Sequence, residues 1–113
     1  MPSHPRDPKQ SKLRIIGGQW RGRKLSFEEA SGLRPTSDRI RETLFNWLAP
    51  HITGAQCLDL FAGTGALGLE CLSRGASHVW LLEKNARVAA ALDNNIKLLG
   101  ADSSRLLYVD AVK

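Results

Sequence analysis

The stretch CLDLFAGTGALGLE, Cys57 to Glu70, decides the fold of this sequence. It begins as an apolar run typical of a buried strand, passes through a glycine-rich turn and continues with the composition of a helix. Gly63, Gly65 and Gly68 match the pattern G-x-G-x-x-G, in which the backbone of a strand-to-helix turn can approach a ligand closely. The stretch therefore predicts a nucleotide-like ligand at this turn.

The alternation of strand and helix continues after the turn. Strands are predicted at 56–61, 78–83 and 105–110, and helices at 65–74 and 85–99. Strands that alternate with helices at this spacing form a parallel sheet with right-handed crossovers. The predicted fold class is α/β, a Rossmann-like sheet with strand order 3-2-1, which is half of a doubly wound nucleotide-binding fold.

Two further units are predicted before this sheet. Residues 1–12 hold three of the five prolines and no apolar period, which predicts a disordered basic tail. The sequence LRIIGGQWRGRKL has two short runs around Gly17 and Gly18, which predicts a basic β-hairpin with a tight turn at these glycines. The chain is thus divided into the tail, a segment of hairpin and helix at 13–50, and the first half of the sheet domain at 51–113.

The end of the middle segment predicts one helix. Thr36 or Ser37 can cap its start, and Pro50 is expected to end it. Four apolar residues recur at helical spacing between these positions: Ile40, Leu44, Trp47 and Leu48. We expect this stripe to pack against the core while Arg39 and Glu42 face solvent.

Composition and charge limit the possible classes of protein. The chain has 113 residues, of which 42% are hydrophobic, enough for one small domain. No apolar run reaches the roughly 18 residues of a membrane span, and no secretory signal opens the sequence, so a cytoplasmic protein is expected. The net charge of +5 is amino-terminal, because 10 basic and 5 acidic residues occur up to Leu48 and 6 of each follow. A polyanionic partner is expected to contact that end.

The cysteines and histidines give no sign of a metal site. Cys57 and Cys71 fall in a predicted strand and a predicted helix, without partners at the spacing of metal ligands. His4, His51 and His78 occur singly. We expect buried, reduced thiols and no metal ion.

Three acidic residues at predicted strand ends bear on the identity of the ligand. Asp59 lies four residues before Gly63, Glu83 lies twenty residues after it, and Asp110 ends the third strand. The glycine spacing and Glu83 also fit a dinucleotide oxidoreductase, whereas Asp59 would repel a pyrophosphate and suits the cationic S-adenosylmethionine. Taken singly, Asp59 could equally be a turn carboxylate and Glu83 an ordinary strand-end acid. A P-loop is excluded because no Gly-Lys-Ser/Thr follows the turn.

Four separate stretches resemble one family in order along the chain: RIIGGQWRGRKL, GLRPTSDRIRETLFNWL, CLDLFAGTGALGLECLSRGA and LLEKN. From Leu13 onward the sequence is similar to the RsmD-type small-subunit ribosomal RNA guanine-N2 methyltransferases of bacteria. The resemblance implies a class I methyltransferase core that uses S-adenosylmethionine to methylate the exocyclic amine of a guanine. It also implies ribosomal RNA or the small ribosomal subunit as the partner, and no membrane.

The resemblance assigns roles to individual residues. It implies a loop on the methionine side of the cofactor formed by Asp59, Phe61, Ala62, Gly63, Thr64 and Gly65. It makes Glu83 the acid that binds the ribose, and Asp110 with Ala111 the contact on the adenine side. The segment before the first strand, which covers the cofactor in related methyltransferases, nominates Arg34, Thr36 and Arg41. For these three, helix capping and a solvated face are the alternative.

One motif of such enzymes is not found in the sequence. An Asn/Asp-Pro-Pro-Phe/Tyr turn should follow a fourth strand and hold the target amine, but the sequence ends at Lys113 after the third predicted strand, and Pro50 is its last proline. We therefore expect the amino-terminal part of a methyltransferase, without a catalytic residue of its own and inactive alone. We also expect self-association through the open sheet edge. A non-catalytic fragment that binds RNA or a partner and retains the cofactor loop is the alternative.

The basic amino-terminal end is interpreted, with the resemblance, as an RNA-binding surface. Its sequence WRGRKL interleaves an aromatic residue with cations that can contact phosphates and unpaired bases. The predicted RNA contacts are Arg14, Trp20, Arg21, Arg23 and Lys24. The alternative is a solvated hairpin whose tryptophan packs on the core.

Overall fold

The computed structural model describes residues 10–28, 37–60 and 62–109. Its elements follow one another in the order β1 (Gln10–Arg14), β2 (Lys24–Glu28), α1 (Asp38–Ile52), β3 (Gln56–Asp59), α2 (Ala66–Ser73), β4 (His78–Glu83), α3 (Ala86–Leu99) and β5 (Ser104–Tyr108). The α/β fold class is confirmed: a strand, a helix, a strand, a helix and a strand follow the glycine-rich stretch as predicted.

The three strands β3, β4 and β5 form a parallel sheet with β4 in the centre. Counted along the chain, β3, β4 and β5 are the first, second and third strands of the sheet, so β5, β4 and β3 stand in the predicted order 3-2-1. The predicted bounds of the central strand, His78 to Glu83, agree with β4. The first strand is shorter than predicted and ends at Asp59, and the last one begins at Ser104.

Both crossover helices cover the same face of this sheet. Helix α2 packs against β3 and β4, while α3 packs against β4, β5 and the hairpin strand β2. Val79 and Leu81 of β4 are fully buried beneath the helices. Leu58 and Trp80, which are partners in the register of β3 and β4, belong to the opposite face, and Leu58 is 61% exposed. The core therefore lies on the helix side of the sheet.

The predicted hairpin is present, but two of its predicted details are wrong. Strands β1 and β2 pair antiparallel, and β1 begins at Gln10, so residues 10–12 belong to the hairpin and not to a tail; residues 1–9 lie outside the described part. The strands are joined by loop 15–23 and not by a tight turn at Gly17 and Gly18. The loop is long because its backbone is bound to the end of α2, where Ser73 accepts hydrogen bonds from it.

Helix α1 also departs from the prediction. Its start agrees, since Ser37 accepts a hydrogen bond from the amide of Ile40, but the helix continues past Pro50 to Ile52. A proline in the last turn removes one backbone hydrogen bond without ending the helix there.

The predicted buried face of α1 is wrong as well. Ile40 and Trp47 are 61% and 76% exposed, whereas the buried residues are Arg41, Phe45 and Ile52. An arginine can replace an apolar residue on the buried face because its charge is neutralised there by carboxylates. Arg39 and Glu42 are exposed, as predicted.

Candidate functional site

The glycine-rich turn leads from β3 into α2. Gly65 adopts a left-handed conformation at the N-cap of α2, with φ of +83°, and a Cβ atom there would lie 2.4 Å from a methyl group of Leu92. A Cβ atom on Gly68 would lie 2.4 Å from a methyl group of Leu81 in β4. The second and third glycines of the motif are therefore required by backbone conformation and by close packing of α2 on the sheet.

The carboxylate of Glu83 joins the turn to the end of the neighbouring strand. Glu83 ends β4, and its two oxygens accept hydrogen bonds from the backbone amides of Gly63, at 2.8 Å, and Asn85, at 3.0 Å. Asn85 in turn caps α3 by accepting from the amides of Arg87 and Val88. Two residues predicted to share one site, Gly63 and Glu83, are thus in direct contact at the carboxyl edge of the sheet.

The backbone donors of the turn are largely used within the protein. The amide of Ala62 donates to the carbonyl of Leu82, that of Gly65 to Ala62, and that of Ala66 to the hydroxyl of Thr64. With the bond from Gly63 to Glu83, four amides between Ala62 and Ala66 already have acceptors. A phosphate-binding turn needs such amides free to point at the anion. The arrangement therefore suits a ligand without a pyrophosphate.

Asp59, the last residue of β3, is half-buried beside the two cysteines. Burial, the neighbouring thiol of Cys57 and the charges of Asp59 and Glu70 raise the pKa of Cys71 to about 12. The prediction that both thiols are buried is wrong, because each remains partly exposed; both are free cysteines. The charge of Asp59 thus acts on the side of β3 that α2 covers.

The remaining predicted cofactor contacts fall into two groups. Ala62 and Thr64 are buried within the turn. Those that lie outside the described residues are Arg34, Thr36, Phe61, Asp110 and Ala111.

Arg41 takes part in a buried ion-pair network. Its side chain is fully buried, so the alternative of a solvated face is wrong for this residue. One terminal nitrogen donates to the carbonyl of Arg14 at 2.8 Å and lies 3.4 Å from the carboxylate of Glu70, and the other pairs with Asp38. The described contacts of Arg41 thus connect α1, the hairpin and α2.

The predicted RNA contacts lie at the other end of the helices from the glycine turn. Loop 15–23 is bound to Ser73 at the end of α2, and Arg23 donates to the carbonyl of Leu98 near the end of α3. Helix α2 has 8 residues, so its length separates the loop from the turn by about 12 Å. Trp20 is half-buried and packs against the core, as its alternative interpretation predicted. The cations Arg14, Arg21, Arg23 and Lys24 are exposed.

The outer face of the hairpin concentrates positive charge. Arg14 and Lys24 are directly opposite one another in the register, and exposed Lys12 lies next to them on β1. Like charges at opposed positions destabilise a sheet. Among the described residues, Asp38 pairs with this cluster: its carboxylate is 3.4 Å from Arg14, and both side chains are about half exposed. We call Lys12, Arg14 and Lys24 the basic hairpin face.

Sequence reasoning missed Glu70, which is fully buried and binds two arginines and two backbone amides. The signal was present, because Glu70 is the one acidic residue in the mainly apolar helix sequence GALGLECLSR. An isolated acid on the packed side of a helix must find partners elsewhere in the fold.

Within residues 10–28, 37–60 and 62–109, no helix has both the length and the apolar character needed to cross a bilayer. In the same ranges no three His, Cys, Asp or Glu side chains are grouped as metal ligands.

Comparison with known proteins gives consistent matches over most of the chain. The model of a family described as conserved hypothetical protein 95 matches residues 13–113. Ribosomal RNA small subunit methyltransferase D of Escherichia coli K12 is 54% identical over 108 residues, which are 96% of this chain and 54% of that protein. The protein of the same name from Haemophilus influenzae is 51% identical over 96 residues, 85% of this chain and 50% of that protein.

A solved structure agrees with the sequence matches. The Escherichia coli protein yhhF superposes with a TM-score of 0.82 at 55% identity, over 89% of this chain and 55% of that chain. The chain therefore spans about half the length of the curated relatives that it matches.

Proposed function

Because the chain belongs to the family of ribosomal RNA small subunit methyltransferase D, we propose that it forms the cofactor-binding part of an S-adenosylmethionine-dependent methyltransferase. The proposed acceptor is the exocyclic N2 of a guanine in small-subunit ribosomal RNA. One observation carries the choice of cofactor: the amides of the glycine turn are already bonded within the protein, one of them to the carboxylate of Glu83. A cationic ligand without phosphate fits this negatively charged edge.

The described residues fit the groups that S-adenosylmethionine presents. Each oxygen of Glu83 accepts one backbone hydrogen bond and keeps a second lone pair that can accept from a ribose hydroxyl. Asp59 is proposed to attract the ammonium end of the ligand across the turn. When bound, the cofactor supplies a methyl group on a sulfonium, while the turn and Glu83 orient it. Phe61, Asp110, Ala111, Arg34, Thr36 and Arg41 stay predicted cofactor contacts.

The basic hairpin face and the loop cations are proposed to bind the phosphates of the RNA. Arg14 and Lys24 repel one another across the hairpin, and an anionic partner would relieve this repulsion. Arg21 and Arg23 extend the same charge along loop 15–23. Because Trp20 packs on the core, we expect this end to bind phosphates more than to stack on bases.

A second candidate function follows from the length of the matches. Since the chain spans about half of its relatives, we propose that the 113-residue chain binds cofactor and RNA without transferring a methyl group. It would then be a binding fragment of the kind left as the alternative above. Self-association and a cytoplasmic location remain further parts of the proposal.

Calorimetry of the 113-residue chain with S-adenosylhomocysteine tests the cofactor assignment. We expect S-adenosylhomocysteine to bind and NAD not to bind at the same concentration. Glu83→Gln should weaken binding about 10-fold or more, because a charged acceptor of the ribose is lost. Asp93→Asn, which removes a carboxylate from an exposed pair with Lys97 on α3, is the matched control. Tighter binding of NAD would overturn the assignment.

Methyl transfer separates the two candidate functions. Tritium from labelled S-adenosylmethionine, counted in purified small-subunit ribosomal RNA, should stay at background with this chain alone. Incorporation above background would rule out the non-catalytic candidate. Identification of the labelled nucleoside as N2-methylguanosine would then test the proposed acceptor atom.

A further inference from the structure

The carboxylate of Glu70 accepts hydrogen bonds from four groups in three parts of the fold. It lies in α2 and is fully buried. Its Oε1 accepts from the amide of Ile16 at 3.0 Å and lies 3.4 Å from a nitrogen of Arg41, and its Oε2 accepts from the amide of Gly17 at 2.9 Å and from Nε of Arg74 at 2.8 Å. One side chain thus joins the hairpin loop, α1 and α2.

Ser73 extends this junction at the end of the same helix. Its hydroxyl donates to the carbonyl of Gly17 at 2.6 Å and accepts from the amide of Trp20 at 3.0 Å, while its carbonyl accepts from Gln19 at 2.8 Å. A Cβ atom on Gly18 would lie 1.9 Å from that carbonyl oxygen, so the loop backbone rests directly on the helix. Loop 15–23 therefore has a fixed path that depends on Glu70 and Ser73.

The fixed path sets the position of the loop cations. Nε of Arg21 donates to the carbonyl of Ile16 at 3.3 Å, immediately beside the amides that Glu70 holds. Arg23 donates to Leu98 at 3.1 Å, and its carbonyl accepts from Ile15 at 2.9 Å. Cations that are already in place lose less conformational freedom when they bind phosphates.

We propose that Glu70 is a positioning residue for RNA binding, which holds loop 15–23 so that Arg21 and Arg23 reach the phosphates together. The inference rests on the proposed function, because it requires that this end of the molecule contacts RNA. It assigns a buried acid, which cannot touch the RNA itself, to the placement of the cations that do.

Substitution of Glu70 by glutamine gives two opposite expectations. If the negative charge alone mattered, Glu70→Gln would tighten RNA binding, because the protein becomes more positive. If Glu70 positions the loop, RNA binding weakens. The NH2 group of the glutamine cannot accept hydrogen bonds from the amide of Gly17 or from Arg74, so the loop is released. The sign of the change therefore separates positioning from simple electrostatics.

Fluorescence anisotropy with a fluorescein-labelled RNA hairpin of mixed sequence measures whether the affinity for RNA rises or falls. The measurement is repeated over a series of salt concentrations. For Glu70→Gln we expect the affinity for RNA to fall about 5-fold. The negative slope of log K against log salt should become about 1 smaller in magnitude, because phosphate contacts are lost. A variant that is only less stable would have a smaller folded fraction and an unchanged slope. Asp93→Asn removes the same charge from an exposed position on α3 and should not weaken binding.

Ser73→Ala provides a second variant that leaves every charge in place. It removes only the hydroxyl between Gly17 and Trp20, and it should reduce the salt slope in the same direction, so it decides the matter if Glu70→Gln does not fold. An unchanged slope in both folded variants, or tighter binding by Glu70→Gln, would overturn the inference while RNA binding by the wild-type chain stands. If the wild-type chain binds S-adenosylhomocysteine but no RNA, the proposed RNA contact fails and the inference fails with it.

Discussion

At the scale of residues, the sequence predicted those side chains whose role follows from local spacing. The glycines of the turn and Glu83 were identified because a fixed number of positions separates them, and the structure brings Gly63 and Glu83 into contact. The burial of Arg41 could not be predicted, because only Asp38 is a near partner and the buried partner, Glu70, lies on another helix far along the chain. Contacts between remote charges have no periodic signal.

Gly65→Ala is expected to destabilise the chain by at least about 2 kcal/mol, since it adds left-handed backbone strain to a clash with Leu92. Urea unfolding measures the difference. Gly54→Ala is the matched control, because Gly54 has a similar φ of +78° but open space around its Cβ position. Gly54→Ala should lower the free energy of unfolding by only about 1 kcal/mol, the cost of a left-handed backbone for a residue with a Cβ atom. Equal losses in the two variants would contradict a packing role for Gly65.

Alkylation of Cys71 should be slow in the folded chain. Burial raises the pKa of this thiol to about 12, so little thiolate is present at pH 8. We expect its reaction rate with iodoacetamide, followed by peptide mass spectrometry, to keep rising between pH 9 and 11; a plateau near pH 9 would contradict the raised pKa. Because the folded pKa lies above the unfolded one, this group's contribution to stability is complete below about pH 9 and is lost as pH rises toward 12.

At the scale of elements, the sequence predicted helix caps more reliably than the buried face of a helix or the length of a loop. The predicted helix at 85–99 is found as α3, whose ends follow from local chemistry: Asn85 caps its start and Gly100 ends it. The long hairpin loop was not predictable, because its length is set by binding to Ser73, far along the chain. Pro50 was taken as a helix end, although a proline in the last turn costs only one hydrogen bond.

Asn95→Ala should loosen the hairpin from α3. The buried Asn95 amide accepts from the backbone of Ser26 at 3.3 Å and donates to its carbonyl at 3.0 Å, as a neighbouring strand would. Loss of both bonds should lower the free energy of unfolding by about 1–3 kcal/mol and speed amide exchange at Ser26. Asn94→Ala, at the exposed adjacent position, should change neither quantity. Unchanged exchange at Ser26 in Asn95→Ala would contradict the role assigned to that amide.

At the scale of the whole molecule, the sheet is apolar on both faces but covered unequally. Leu58 is 61% exposed and Leu60 is 46% exposed on β3 and just after it, while the helix side is buried. The sequence predicted a parallel sheet, whose strands carry apolar residues toward both faces. It also predicted that the edge at β3 would be open to other chains.

Leu58→Lys should reduce self-association of the 113-residue chain. A charge on this edge strand opposes its pairing and packing against a second copy. Sedimentation velocity over a range of protein concentrations measures the fraction of dimers and larger species. Leu98→Lys, a substitution of a residue 64% exposed on α3, is the control and should leave that fraction unchanged. A concentration-independent monomer in the wild-type chain would contradict the expectation.

The placement of the glycine turn and loop 15–23 at opposite ends of α2 has a consequence for substrate size. About 12 Å separates them, given the 8 residues of the helix. Under the proposed function, an RNA that contacts both ends must reach over this distance from the proposed target guanine, and an isolated nucleoside is too small to do so. Recognition at such a distance is a property of a folded RNA, in which backbone far from the target base is held at a fixed offset.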